Sequence, residues 1–438
     1  MRISVIGTGY LGATHAACLA AVGHQVVGVD RDEERVRTLT AGRAPFHEPG
    51  LDGLLRRGVE SGRLSFSTEC AAVADAEVHF LCVGTPQRPG SHAADLSALA
   101  AAVTALVPWL TRPVVVVGKS TVPVGTATGL GQRLRREAPA GDTVDLAWTP
   151  EFLREGHAVE DSLHPDRLVF GVGTDAADQV LREVYAPQIR SGVPVVRTDL
   201  ATAELAKVSA NAMLAARISL VNLLAEVCEA ADADVADLTR ILGLDERIGS
   251  KFLNPGVGFG GGCLPKDTRA FVARAEELGV GGPAAVLREV DAINMRQRAR
   301  TIDLAVDLLG GRAVGHRVAV LGAAFKADSD DVRDSPALDV AATLQARGAE
   351  VQVYDPKAGR NAERARPGLH ARDSVEEACL DADIVLVLTD WDEFRGVDPV
   401  ALAEVVRQPR VVDGRLVLDP DKWRASGWDF HALGRGGS

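Results

Sequence analysis

The chain has 438 residues, of which 46% are hydrophobic and 25% charged, and its formal net charge is −12. That length exceeds what one hydrophobic core sustains, so two or three domains are expected. An acidic chain without a basic run lacks the electrostatic footprint of a nucleic-acid or anionic-membrane partner, although a local cluster of arginine or lysine can still hold an anionic substrate.

Six cysteines, Cys18, Cys70, Cys82, Cys228, Cys263 and Cys379, form no C-x-x-C pair and have no histidine at zinc-ligand spacing. Neither a disulfide framework nor a metal site is expected, and reduced thiols suit a cytoplasmic protein. Met1-Arg2 leads directly into a strand, so no signal peptide is expected, and apolar runs such as Val114–Val117 are too short to span a bilayer.

In chain order, Ile3–Ile6 reads as a strand that ends in a glycine turn. A helix through His15 to Ala21 follows, closed by Gly23, and then a second strand, Val26–Val29, ends at Asp30. Apolar runs at Val78–Val83, Val114–Val117, Leu146–Trp148 and Leu168–Val172, separated by alanine-rich helical stretches, predict a parallel, doubly wound sheet. Thr202–Leu309 shows no convincing strand. Its first helix carries Leu205, Val208, Ala212, Ile218, Val221 and Val227 at helical spacing and is long enough to connect two domains. From Arg317 the first pattern returns in degenerate form, with strands at Arg317–Leu321, Val351–Tyr354 and Ile384–Leu388 and a turn, Gly322-Ala-Ala-Phe325-Lys326, that lacks the later glycines. No dinucleotide is expected there, and the tail Gly434–Ser438 is expected to be disordered. The fold class is thus α/β: two Rossmann-like doubly wound parallel-sheet domains joined by a long central helix and an all-helical middle domain, divided as 1–200, 201–310 and 311–438.

Gly7-x-Gly9-x-x-Gly12 follows a strand, opens a helix, and is trailed by the acidic Asp30 at the end of the next strand. That context makes it a dinucleotide motif: Gly7 for the tight turn, Gly9 for approach to the pyrophosphate, Gly12 for helix–sheet packing. Asp30 can bond both ribose hydroxyls and repel a 2′-phosphate, which favours NAD over NADP, while Arg31 and Arg35 weaken that preference slightly.

Four segments carry candidate chemistry. Gly118–Thr126, with Thr121, and Thr149–Gly156, with Glu151 and Glu155, each follow a strand, where ligands of such sheets bind. On the long helix, Lys207 and Asn211 share a face and Asn222 lies about three turns further along; an ammonium and an amide side by side can stabilise an oxyanion, unless the stripe is merely solvated. Cys263 follows three glycines and precedes a helix, Lys266–Leu278, with Pro265 in its first turn and Asp267 nearby. The helix dipole and Lys266 or Lys207 favour its thiolate. A thiol beside a nicotinamide permits an alcohol to be oxidised twice, because cysteine addition to the aldehyde gives a thiohemiacetal that yields a hydrolysable thioester.

These segments, with Cys82-Val-Gly-Thr85-Pro, Arg247-Ile-Gly-Ser-Lys-Phe-Leu, Phe325-Lys326, Arg333-Asp-Ser-Pro and Asp413-Gly-Arg415, resemble the UDP-glucose/GDP-mannose dehydrogenase family over nearly the whole chain. The resemblance implies roles. Cys263 would be the nucleophile, Lys207 and Asn211 the oxyanion donors, and Asp267, Thr121 and Glu151 the managers of water and protons. NAD would be held by Gly7, Gly9, Tyr10, Leu11, Gly12, Asp30, Arg35, Val83, Thr85, Thr121, Glu155 and Arg333. The nucleotide sugar would meet Glu151, Phe152, Leu153, Arg154, Lys207, Asn211, Phe252, Phe259, Gly260, Lys326 and Arg415, with Arg247 supplied by the neighbouring subunit of a homodimer. Here the long helix reads Arg217-Ile-Ser-Leu-Val-Asn222-Leu223, without the acid usual in the family, and Met213 replaces an aromatic residue. The implied reaction converts UDP-glucose to UDP-glucuronate, or acts alike on dTDP-glucose. Two other readings compete. A two-electron hydroxyacid dehydrogenase would need neither Cys263 nor the second α/β domain, and a non-catalytic NAD(H) sensor could dispense with Cys263, Lys207 and Asp267.

Overall fold

The computed structural model describes residues 1–436. The chain divides into two compact units, Met1–Ala210 with Ala273–Gly279, and Asn211–Val272 with Val280–Ser438.

In the first unit, eight strands form one sheet: β1 (Arg2–Ile6), β2 (Gln25–Val29), β3 (Leu64–Ser67), β4 (Val78–Leu81), β5 (Val114–Gly118), β6 (Val144–Trp148), β7 (Leu168–Val172) and β8 (Val195–Thr198), in the order β3-β2-β1-β4-β5-β6-β7-β8. The order reverses between β1 and β4, which is the switch point where such sheets bind ligands. The six strands from β3 to β6 are parallel, as expected, but β7 runs antiparallel to β6, and β8 follows β7. Wholly buried strands such as Val114–Gly118 are near-continuous valine because helices cover both faces.

In the second unit, β9 (Arg317–Leu321), β10 (Glu350–Tyr354), β11 (His370–Arg372), β12 (Ile384–Val387), β13 (Arg410–Asp413) and β14 (Asp429–Ala432) form an all-parallel sheet in the order β11-β10-β9-β12-β13-β14. Its core takes in Ile302 and Ala305 from the end of the helix Ala285–Leu308, and Leu309 just after it.

The segment between the sheets is helical: Leu200–Ala230, Val235–Gly243, Leu264–Glu277 and Ala285–Leu308. Leu200–Ala230 is long and apolar enough, by length and composition, to cross a membrane. It also carries buried polar groups bonded inside the protein. Glu204 accepts from the amides of Gly125 and Ala127, Ser219 donates to the Val290 carbonyl at 2.7 Å, and Asn222 accepts from the Gly256 amide at 2.8 Å. That is the pattern of a core helix.

The expected disorder of the tail does not hold for its described part. The Gly434 amide donates to Glu229 at 2.6 Å, the Val235 amide donates back to the Gly434 carbonyl, and Arg435 pairs with Asp234. These backbone and ionic partners fix residues 434–436 against the end of the long helix; residues 437 and 438 lie outside the described residues.

Candidate active site

At the end of β1, Gly7 takes φ +87° and its amide donates to the Val29 carbonyl at 2.8 Å, which turns the chain toward the helix Tyr10–Ala21. A Cβ on Gly12 would fall 1.8 Å from the Gly7 carbonyl oxygen, so no other residue fits there. A Cβ on Gly9 would meet nothing within 4 Å. The N-terminus of a helix thus opens beside unobstructed backbone, as anion binding requires. Tyr10 and Leu11 form its first turn.

Asp30, just past β2, accepts from the Thr8 amide at 2.8 Å, the Thr8 hydroxyl, the Asp32 amide and Arg35 at 3.0 Å. Burial opposes its ionisation, but these amides and the guanidinium prevail and hold its pKa below the ordinary carboxylate value. An anionic carboxylate at this position suits a ribose diol, so the residues present fit NAD.

Three loops after parallel strands meet in this unit. Thr85, after β4, donates its hydroxyl to the Thr121 carbonyl at 2.6 Å, and Ser120 donates to the carbonyl of Val83 at 2.7 Å, which ties the loop after β5 to the one before it. After β6, one oxygen of Glu151 accepts from the amides of Phe152 and Leu153 at 2.7 and 2.9 Å, and the other lies 3.0 Å from the Lys119 ammonium. Glu151 is therefore not a solvated loop carboxylate. Lys207, from the long helix, lies 5.7 Å from the centre of the Phe152 ring. Arg154 is exposed and bound bidentately by Asp161. Glu155 is half-buried in the same loop.

Glu48 was not singled out by the sequence. It is buried, accepts from the amides of Gly156, Ala158 and Val159 and from the Tyr10 hydroxyl, and so closes the start of the six-residue helix Ala158–Leu163. Burial and the neighbouring carboxylate push the Tyr10 phenol far above its ordinary pKa, so Tyr10 stays a donor. The local sequence His47-Glu-Pro-Gly50 carries no sign of a contact made more than a hundred residues away.

In the second unit, Cys263 is exposed and immediately precedes the helix Leu264–Glu277, whose first bond runs from the Asp267 amide to the Cys263 carbonyl at 2.9 Å. The thiol therefore sits at a helix N-terminus, where the dipole favours a thiolate. Asp267 is only 2% exposed. The Asn211 amide donates to one of its oxygens at 2.6 Å and the Lys266 ammonium to the other at 2.6 Å. Lys207, Asn211 and Asn222 are all buried, so their stripe is not a solvated face.

The glycines before Cys263 are pinned by the helix Ala285–Leu308. Asn294 accepts from the Phe259 amide at 2.7 Å and donates to the Phe259 carbonyl at 3.0 Å; Arg298 donates to the same carbonyl and pairs with Asp334 and Asp339. A Cβ on Gly260 would strike the Asp334 carbonyl, and one on Gly262 the Arg333 guanidinium, so Arg333 lies against the segment that delivers Cys263. At the strand ends of the second sheet, Arg415 donates to the Leu388 carbonyl at 2.9 Å and reaches the Phe325 carbonyl at 3.4 Å, with Lys326 over the Phe325 ring. Burial lowers the Arg415 pKa from its usual value. Phe252 holds φ +61° and is partly exposed. Arg247 is exposed and pairs with Asp245, its neighbour two residues back. Among the described residues there is no group of three or more His, Cys, Asp or Glu able to hold a metal ion.

Comparison with known proteins places this geometry. Residues 1–189 match the NAD binding domain of the UDP-glucose/GDP-mannose dehydrogenase family, residues 201–296 its central domain, and residues 319–420 its UDP binding domain. UDP-glucose 6-dehydrogenase of Rhizobium meliloti is 42% identical over 99% of this chain and 100% of its own length. That of Pseudomonas aeruginosa is 39% identical over 99% of this chain and 98% of its own. A UDP-glucose dehydrogenase structure from Pyrobaculum islandicum superposes with a TM-score of 0.91 at 37% identity, covering 99% of this chain and 98% of that one. An NAD turn, a cysteine at a helix N-terminus and a second parallel sheet, matched in order along the full length, have one common explanation: the chain belongs to the UDP-glucose/GDP-mannose dehydrogenase family and is an NAD-dependent nucleotide-sugar dehydrogenase.

Proposed function

We propose that this enzyme oxidises the C6 hydroxyl of UDP-glucose by four electrons to UDP-glucuronate. The observation that carries the reading is the exposed Cys263 at a helix N-terminus, next to the buried Asp267 held by Asn211 and Lys266. NAD, when bound at the Gly7–Gly12 turn, accepts the electrons of both oxidations. The thiolate of Cys263 adds to the C6 aldehyde, which makes a second oxidation possible and leaves a thioester that water cleaves. One primary alcohol, two NAD and one water give one carboxylate, two NADH and three protons. Lys207 and Asn211 stabilise the oxyanion, while Asp267, Thr121 and Glu151 hold water and move protons. Glu155 and Arg333 stand at the cofactor. Phe152, Leu153 and Arg154, Phe252, Phe259 and Gly260, with Lys326 and Arg415, hold the nucleotide sugar. Residues 1–200 serve the cofactor, 201–310 the cysteine and dimerisation, and 311–438 the nucleotide.

The uridine preference draws support from the family's UDP binding domain and from the names of the relatives. A homodimer with Arg247 reaching the partner's site draws support from exposed apolar side chains Met213, Leu220 and Val227 on one face of the long helix, and a cytoplasmic setting from the buried reduced thiols of Cys18, Cys82, Cys228 and Cys379. An NADH-release screen over UDP-glucose, dTDP-glucose, GDP-mannose and UDP-N-acetylhexosamines tests the substrate. UDP-glucose is expected to lead, with two NADH per sugar acid, and Cys263→Ser is expected to form no acid. One NADH per sugar, or acid at the normal rate from Cys263→Ser, overturns the reading.

A further inference from the structure

Lys119 follows β5, an all-apolar buried strand, and is itself only 6% exposed. An isolated ammonium at such a depth is strongly disfavoured, so its partners define what it does. One is Glu151, at 3.0 Å; the other is the Tyr185 ring, whose centre lies 5.9 Å away. Burial alone lowers the Lys119 pKa, yet the charge of Glu151 reverses that and raises it, so Lys119 stays cationic.

We propose that Lys119 is the positioning residue for Glu151: its buried charge aims the second oxygen of that side chain, while the amides of Phe152 and Leu153 fix the first. The proposal rests on the role given to Glu151 above. Both oxygens of the carboxylate have partners, one in the amides of its own loop and the other in Lys119 at the end of β5. The other titratable groups facing it are Cys82 after β4, Cys18 on the helix Tyr10–Ala21 and Tyr185; burial pushes both thiols up to about 12 and raises the phenol, so all three stay neutral and Lys119 is the cation in contact with the carboxylate. Two further cations lie over the adjacent Phe152 ring, Arg167 at 3.9 Å and Lys207 at 5.7 Å from its centre.

The test measures kcat, KM for NAD and the pH profile of kcat for wild type, Lys119→Met, Lys119→Arg and Glu151→Gln, using whichever nucleotide sugar the wild type oxidises fastest. Wild-type NADH stoichiometry judges the parent reading separately. Lys119→Met is expected to lower kcat by about 100-fold or more with KM for NAD little changed, and to move the acidic limb of the profile upward by about 1 pH unit or more. Lys119→Arg, which keeps the charge, is expected to keep that limb at its wild-type position. In a Glu151→Gln background, Lys119→Met is expected to have little further effect. An unmoved limb in Lys119→Met, or an equal loss in both backgrounds, overturns the proposal. Should Lys119→Met not fold, the limb in Lys119→Arg decides: a shift like that of an uncharged site overturns it.

Discussion

The turns after β1 and β9 hold the same station in their sheets. Each follows the strand at which the order reverses, each opens on a glycine of positive φ (Gly7 +87°, Gly322 +105°), and each glycine amide donates to the last residue of the neighbouring strand, Val29 or Tyr354. Each is also met by an aspartate one residue beyond that strand. From there they diverge. After Gly7 the helix starts at Tyr10, whereas after Gly322 it starts only at Pro336. Asp355 accepts from the amides of Ala323, Ala324, Lys357 and Ala358 and from the Trp391 indole, which consumes the carboxylate inside the protein. Asp30 spends two bonds on Thr8, one on the Asp32 amide and one on the movable Arg35, and keeps capacity for a ligand. One backbone device has become a cofactor turn in the first sheet and a structural clamp in the second, and the distance to the next helix separates them.

The comparison breaks most readily at its glycines. Gly12→Val drives a side chain into the Gly7 carbonyl and is expected to lower NADH production by about 100-fold or more, while Ala324→Gly leaves KM for NAD unchanged. Calorimetric titration showing a second NAD per chain would undo the distinction. The aspartates come next. Asp355→Ala strands buried donors and is expected to destabilise the protein by about 3 kcal/mol, read as a lower denaturation midpoint with KM for NAD intact. Asp30→Ala is expected to raise KM for NAD by roughly 10-fold and to narrow the preference over NADP. The reverse assignment of the two effects would refute the contrast.

The smallest effect is in pH. Asp30 has a lowered folded pKa, so its contribution to stability is present above the unfolded value and is lost as pH falls through the folded one. Asp413, at the end of β13, is the opposite case: burial raises its pKa despite the Leu418 and Arg415 amides, so its ionisation penalty is relieved as pH falls. As pH falls from about 7 to about 4, the stability of wild type minus that of Asp413→Asn should rise, whereas that of wild type minus Asp30→Asn should hold until about pH 4 and fall only below it. Parallel trends in thermal melts would contradict this.

Legibility in the sequence followed the range of the interactions involved. The strands buried on both faces announced themselves as unbroken apolar runs, and the cofactor turn was visible because its glycines and Asp30 act within one βαβ unit. The half-exposed β3 and β8 lack such runs and were missed, and nothing local marks the reversal at β7. Of the site, Cys263 and its helix were legible from the glycines and Pro265. Glu48 and the Lys119–Glu151 pair were not, because each joins segments distant in sequence that only the sheet order brings together. The tail was misread because Glu229 and Val235, not its own composition, hold it.

The carboxylate of Glu48 also bears on the order in which the molecule is made. A helix of six residues cannot persist alone, since nucleation outweighs so few backbone bonds. Ala158–Leu163 takes its missing cap from a residue 108 positions before Gly156. During synthesis that glutamate leaves the ribosome long before the amides it will receive, and it must stay available until they arrive. The end of the loop bearing Glu151 and Glu155 is thus closed by a long-range contact rather than by its own sequence.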